Sequence, residues 1–391
     1  MRLPHELRSL GPIFTRSSAL EAGSSAYVLE RTTADGALVR FGRGLYRVPV
    51  ELEDGQPWEV ARAEHLRRCR EAQAVHPGHV ISHQSAAVVH GMQLRLHPAM
   101  SVHLTSVDRA PCSRREPGLV MHHADSVSND VAVVDGIRTT TPARTIADVL
   151  RTSRPPNSVA LFDAAVRDGL VTAQAVRRVL DTQVRWRGRP RARQAMQLHD
   201  PRRESWLESF SFVALHELGV PLPEPQVQVL DEGFHFVGRV DGLLGSVFLE
   251  ADGESKYYLL TEELGLTPAE SVARVLEKQS DRHERLVGLG LQGVRWTTRE
   301  IQREPGLVAR RIWAAVNTAN PADFNGWLRI GDRITRPQPL PHRAAGCVAQ
   351  IRSQAARQTA HRAPTRSVDP ETRRPRARST LRPGAHALGR P

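Results

Sequence analysis

The stretch Arg239-Val240-Asp241-Gly242-Leu243-Leu244-Gly245-Ser246-Val247-Phe248-Leu249-Glu250-Ala251-Asp252-Gly253 decides how the C-terminal half folds. Two apolar runs flank Gly245-Ser246, a dipeptide suited to a two-residue hairpin turn because glycine reaches positive φ without a steric penalty. With that turn, paired positions sum to 491, so Leu244 faces Val247 and Asp241 faces Glu250. Directly opposed residues have Cβ atoms ~5 Å apart, and Asp252 lies two residues beyond Glu250 on the same face. The register predicts three converging carboxylates. Their mutual repulsion calls for a divalent cation, and Mg2+ (or Mn2+) takes hard oxygen ligands while keeping positions for water and phosphate. Asp241, Glu250 and Asp252 are therefore the expected metal ligands. Lys256, four residues after Asp252, is placed to stabilise charge on phosphate or to lower the pKa of an attacking water. Asp252-Gly253 also reads as a plain strand end, but that leaves Asp241 and Glu250 unexplained.

Outward from the hairpin, Ser205-Trp206-Leu207-Glu208 opens a helix that runs to about Leu218 and closes at Gly219 and Pro221. Glu208 has Phe212 at i+4 and Leu215 at i+7, which sets it on an apolar flank. Strand-like runs follow at 227–230, 234–244 and 247–252, then a polar-faced helix containing Glu277, Lys278, Asp281, Arg282 and Arg285, a short strand ending at Trp296, and a helix over 305–316. Across residues 204 to 317 these elements resemble the Vsr-like branch of the PD-(D/E)XK endonuclease superfamily, through Ser205-Trp206-Leu207-Glu208, Val240-Asp241, Glu250-Ala251-Asp252-Gly253, Lys256-Tyr257, Glu277-Lys278 and Val294-Arg295-Trp296-Thr297. The resemblance implies a restriction-endonuclease-like αβββαβ domain in which Asp241, Glu250 and Asp252 hold the metal, Glu208 supports it and Lys256 assists catalysis. Asp252 stands where many members place lysine, and an alternative alignment takes Glu254-Ser255-Lys256 as the acid-x-lysine motif.

At the other end, Phe14-Thr15-Arg16 followed by Ser17-Ser18-Ala19-Leu20 reads as an N-cap and short helix ending at Gly23, with a second helix over 25–32. Leu38-Val39-Arg40-Phe41 and Leu45-Tyr46-Arg47-Val48 flank Gly42-Arg43-Gly44 as a hairpin. A helix-turn-helix followed by a hairpin predicts a winged helix, with Arg16, Arg31, Arg40, Arg43 and Arg47 available to DNA phosphates. Winged helices also serve as protein contact modules, and the second helix offers only Arg31 as a base. Between 56 and 200 the signals are mixed: helices start at Ser82-His83-Gln84 and at Thr141-Pro142-Ala143-Arg144, two more follow before 183, and Met100 to Thr105 alternates like a strand. His79, His83 and His90 are close enough in sequence to suggest a metal site, but no Cys or acidic partner stands at ligand spacing, and they read as structural. Seven arginines between Arg185 and Arg203 suggest a linker or an exposed helix near phosphate. The first 200 residues resemble the AbiEi-like antitoxins, through Phe14-Thr15-Arg16, Gly42-Arg43-Gly44-Leu45-Tyr46-Arg47, Ser82-His83-Gln84-Ser85-Ala86-Ala87 and Thr141-Pro142-Ala143-Arg144-Thr145. That resemblance implies DNA binding, repression and, as a partner, a nucleotidyltransferase toxin or its operon.

Composition bounds the rest. The chain has 391 residues and a net charge of +12, yet residues 333–391 hold thirteen Arg against Asp369 and Glu371, so the remainder carries only +1. With eight prolines and no Phe, Trp or Tyr, that segment cannot bury enough apolar area to offset ordering entropy and reads as a disordered basic tail. It serves either as a solvated appendage or as a salt-sensitive arm for phosphate. Cys69, Cys112 and Cys347 form no CxxC pair, which speaks against a disulfide framework, a cysteine zinc site or redox chemistry. No run suits a membrane span or a signal peptide, so a cytoplasmic protein without a membrane partner is expected. The expected fold is α+β: a winged helix at 1–55, a mixed middle domain at 56–200, an endonuclease-like domain at 201–320 and a tail at 321–391. The expected function is DNA binding with Mg2+-dependent phosphodiester hydrolysis. The alternative is a regulator or antitoxin whose nuclease fold is silent, and a weaker third is a small-molecule metal hydrolase.

Overall fold

The computed structural model describes residues 3–49, 56–95, 97, 100–106, 114–116, 118–124, 128–253 and 279–340. Lys256, Glu254, Glu277, Lys278 and the chain beyond 340 lie outside the described residues.

The N-terminal unit is α1 (His5–Arg8), β1 (Ile13–Thr15), α2 (Arg16–Glu21), α3 (Ala26–Ala34), β2 (Val39–Gly42) and β3 (Leu45–Arg47). Both helices of the helix-turn-helix start on a side-chain cap: Thr15 accepts from the Ser18 amide and Ser25 from the Val28 amide. Gly23, at φ 90°, makes the turn between them. The three strands pair in the order β1-β3-β2, and Leu7, Phe14, Ala19, Leu29, Leu38 and Tyr46 form one small core beneath them.

The middle unit begins with α4 (Pro57–Val75), followed by β4 (His79–Ile81), α5 (His83–Val89), β5 (Val102–Ser106), β6 (Arg114–Glu116), β7 (Leu119–His122), β8 (Val131–Val134) and β9 (Ile137–Thr140). Its sheet runs β6-β7-β5-β4-β9-β8, with parallel pairs at β4–β9 and β5–β7. Four helices come next: α6 (Pro142–Thr152), α7 (Pro155–Arg167), α8 (Ala173–Thr182) and α9 (Arg189–Leu198). The helix starts expected at Ser82-His83 and Thr141-Pro142 are both present, the second with proline in the first turn. Cys69 is fully buried on α4, and burial pushes its thiol up to about 12.

Of the linker and the exposed helix that the sequence left open for the arginine-rich segment 185–203, the helix is present, with one face buried. The segment contains α9, whose Ala192, Ala195 and Leu198 enter the same core as α6 and α7. Arg203 is buried and donates to Asp163 at 3.0 Å and to the Leu198 carbonyl at 2.9 Å, while His199 and the Asp200 amide also bond to Asp163. A buried carboxylate with no neighbouring cation would be costly, and the turn after α9 supplies that cation.

The C-terminal unit follows as α10 (Trp206–Glu217), β10 (Glu224–Leu230), β11 (Phe236–Leu244), β12 (Val247–Asp252), α11 (279–288), β13 (Gln292–Thr297), α12 (Thr298–Arg303), α13 (Pro305–Thr318), β14 (Trp327–Ile330) and β15 (Arg333–Thr335). Up to β13 the described elements follow the order α-β-β-β-α-β. The sheet runs β13-β12-β11-β10-β14-β15, with only β12–β13 parallel. Leu244 pairs with Val247, Leu243 with Phe248 and Gly242 with Leu249, the register that the Gly245-Ser246 turn dictates. Gly245 takes φ 59° there, and at Gly242 a side-chain carbon would stand 2.8 Å from the Phe212 ring, so that position needs glycine. On one face, Val247, Leu249 and Ala251 meet α10 and α13 around the buried Trp296, whose indole donates to Ser211 Oγ at 2.9 Å. On the other, Phe248 meets Leu286 of α11. The tail was expected to start at 321, yet β14 and β15 extend this sheet from β10, and Arg336 donates to the Phe324 carbonyl. The boundary at 200 also crosses a packed interface, since Val213 of α10 joins the core of α6 to α9. No helix among the described residues is long and apolar enough to cross a membrane.

Candidate functional site

The carboxylates come first because their register is the one expected, but their partners are not. Glu208 is buried at the first turn of α10. Its carboxylate accepts from Ser205 Oγ at 2.7 Å, the Glu204 amide at 3.0 Å and Gln226 Nε2 at 2.8 Å, so it caps the helix and ties it to β10. Pro225–Gly242 and Val227–Val240 are ladder pairs, which puts Gln226 across from Asp241. The β11–β12 pairing stops at Gly242–Leu249, one step short of Asp241, and Asp241 Oδ2 instead accepts the Ala251 amide at 2.9 Å. The Asp241 carboxylate thus stands in for a main-chain acceptor.

Glu250 is 2% exposed. It shares the face of Phe248, toward α11, and its carboxylate meets Arg282 of α11 and, at 2.5 Å, Arg295 of its ladder neighbour β13. Two guanidinium groups offset the charge that a cation was expected to offset. The hairpin arithmetic fixed the ladder positions but left out these partners of Glu250, an arginine one strand away and another on the helix above.

At the other end of the chain, the winged helix exposes Arg16, Arg31, Arg40 and Arg43. The Arg16 amide donates to the Gly44 carbonyl at 2.7 Å, so the start of α2 abuts the wing turn and places Arg16 near Arg43. Arg31 lies 3.9 Å from Asp35, a loose exposed pair of small energetic weight. Arg47 departs from expectation: it pairs with Glu71 of α4 at 2.7 Å, and Arg67 pairs with the same carboxylate. It ties the wing to the middle unit and does not face outward. Tyr27, which the sequence reading passed over, is 70% exposed on the first turn of α3, where a recognition helix meets base edges. Its place two residues after the Ser25 cap was a readable signal.

Residues 1–49 match the family model described as transcriptional regulator, AbiEi antitoxin. The match ends where the winged helix ends, so the likeness expected over 200 residues rests on this module alone. Two uncharacterized proteins of Mycobacterium tuberculosis, MT2308 of strain CDC 1551 and Rv2248 of strain H37Rv, are each 29% identical to this chain over 238 residues, covering 61% of it and 81% of the relative. Among solved structures, that of the RV2827C protein from Mycobacterium tuberculosis is similar over 50% of this chain and 78% of its own, at 16% identity and a TM-score of 0.32, which does not establish a shared overall fold.

The histidines regroup. His90 bonds to the Thr140 carbonyl at 2.6 Å and His79 lies edge-on to His76, so neither joins His83. His83 instead meets His103 and His122. Burial pushes the pKa of His83 well below the ordinary imidazole value, with the neighbouring histidines adding to the effect.

Proposed function

We propose that this protein is a DNA-binding transcriptional regulator of the antitoxin type, in which the N-terminal winged helix reads an operator and the larger remainder serves contact and assembly. The observation that carries the reading is the capped helix-turn-helix whose exposed Arg16, Arg40 and Arg43 surround one wing, within the segment that matches the AbiEi family model. Arginines in that position fix a module on phosphates, while the exposed start of α3, Tyr27 included, enters the major groove. A nucleotidyltransferase toxin is the partner class this reading names. Anisotropy titrations of labelled duplexes from the upstream region of its own gene test it. Saturable binding that Arg16→Ala with Arg43→Ala weakens supports the reading, and equal affinity for every duplex with no effect of the pair overturns it.

A second reading, Mg2+- or Mn2+-dependent phosphodiester hydrolysis, is favoured by the α-β-β-β-α-β order and by a hairpin that sets Asp241 and Glu250 each one residue beyond its last pair, Gly242–Leu249. It needs Arg282 or Arg295 to release Glu250. Nicking by the purified chain that Glu250→Gln abolishes would support it, and no cleavage with either metal on duplex, mismatched or single-stranded DNA would leave the regulator alone.

A further inference from the structure

A cavity of about 840 Å3 opens in the middle unit between the β5–β7 edge, the start of α5, helix α6 and residues 185–191. Three imidazoles stand on its wall, one each from α5, β5 and β7, and one ring nitrogen of each lies within 4.8 Å of the other two. Nothing local gathers them, since they are about twenty residues apart in sequence. The parallel pairing that sets His103 against Val120 and Thr105 against His122 brings the second and third together, and the turn into α5 adds the first.

Four observations make this more than a packed polar corner. His103 Nδ1 and His122 Nε2 share a hydrogen bond at 2.9 Å, and the His83 ring stacks on His122 with centroids 3.6 Å apart, so an ion would replace the shared proton and turn the His83 ring. Nitrogens sharing a tetrahedral ion at bond lengths of 2.0–2.1 Å stand about 3.3 Å apart, so this pair is a few tenths of an ångström from ligand spacing. His83 holds a left-handed φ of 53°, a strained conformation for a side-chain-bearing residue, and its Nδ1 bonds to Ser82 Oγ at 2.9 Å, an outer contact of the kind that orients a ligand ring. Thr105, two residues beyond His103, lines the cavity with a buried hydroxyl that has no hydrogen-bond partner among the described residues. His103 and His122 themselves are only half-buried, which leaves an entry path.

The opposite wall is cationic. Arg144 and Arg151 share Asp148 and both stack over Trp186 at 4.8 Å, and arginines at 185, 187 and 191 complete the rim. Three neutral ligands leave a divalent ion with its full charge beside these guanidinium groups. An anion at the fourth position would offset that charge.

We propose that His83, His103 and His122 bind one Zn2+-class ion whose fourth position opens onto this cavity and takes a phosphate-like anion. Three protein ligands with one open position are the arrangement of reactive zinc sites, whereas structural sites are closed by four. This site is separate from the winged helix and from the C-terminal carboxylates, so it does not depend on either reading above.

The test uses the full chain, stripped with a chelator and titrated with Zn2+ in competition with a chromophoric chelator, then loaded with Co2+. One ion per chain, a Co2+ spectrum with intense tetrahedral bands, and a shift of those bands on adding inorganic phosphate are expected. His103→Ala and the volume-keeping His122→Gln should each weaken Zn2+ binding at least tenfold, while His235→Ala on the surface should leave it unchanged. Thermal melts without metal show which variants fold, and either ligand variant suffices. Unchanged stoichiometry and affinity in a folded ligand variant, or an octahedral Co2+ spectrum, overturns the ion. Bands indifferent to phosphate overturn the anion.

Discussion

The winged helix and the C-terminal sheet use the same residue type in opposite ways. Arg16 and Arg43 stand exposed with no ion pair among the described residues, whereas Arg282 and Arg295 converge on one buried carboxylate. An exposed guanidinium is available to a phosphate. One that holds a buried acid maintains the fold and contacts a ligand only by giving that acid up. Arginine content alone therefore misplaces a nucleic-acid surface, and what distinguishes the two regions is where the nearest carboxylate lies.

Acid gives the largest expected effect and separates both ends from the middle. His65 is buried against Ser85 Oγ, and desolvation lowers its pKa to about 4. Once unfolded it takes up a proton near 6.5, so below that pH the unfolded chain binds more protons and stability falls until pH reaches about 4. A gap of 2.5 units corresponds to about 3 kcal/mol. Denaturant midpoints measured from pH 7 to pH 4 should fall accordingly, and His65→Gln should flatten the decline; an unaltered decline in that variant would place the sensitivity elsewhere.

Glu250→Gln comes next, at about 2 kcal/mol, because it leaves two guanidinium groups without their shared acid while both stay partly hydrated. Urea melts read this directly. A variant as stable as the parent that loses Mg2+ binding would turn the comparison around and make Glu250 a ligand held in reserve.

The winged helix provides the third prediction. Arg16→Ala with Arg43→Ala should weaken operator binding about tenfold or more and reduce the salt slope by about 2, one unit per lost phosphate contact, with no change in melting. Arg47→Ala is the smallest case for DNA binding: its partly buried pair with Glu71, which Arg67 shares, contributes about 1 kcal/mol to holding the wing on α4, and the salt slope should stay as it was. A slope that drops for Arg47→Ala as it does for the other two would show that Arg47 leaves Glu71 on binding. For the basic tail, cutting after Leu340 is the clean experiment, since cutting at 333 also removes β15.

Local rules made much of this legible. Capping residues placed α2, α3, α6 and α10, a glycine turn set the register of β11 and β12, and alternation placed β5. What escaped were contacts between elements far apart in sequence. Arg295 reaches Glu250 only because β13 returns parallel to β12, and His103 finds His122 only because β5 and β7 pair; no spacing within the chain announces either. The segment around α9 left linker and exposed helix both open because its arginines were counted and the apolar spacing of Ala192, Ala195 and Leu198 was not.

Asp163 carries a consequence for the chain as a whole. It sits on α7, entirely enclosed, and its bonds are to the turn that leads out of the middle unit into α10. Severing the polypeptide near residue 200 would strand that carboxylate on one fragment and its guanidinium on the other, besides baring the face where Val213 docks. The two halves cannot be inherited or exchanged as free-standing cassettes at that point. A recombination event that cut between 49 and 56, ahead of α4, would leave the Asp163 lock whole and separate instead the smaller Arg47–Glu71 pair.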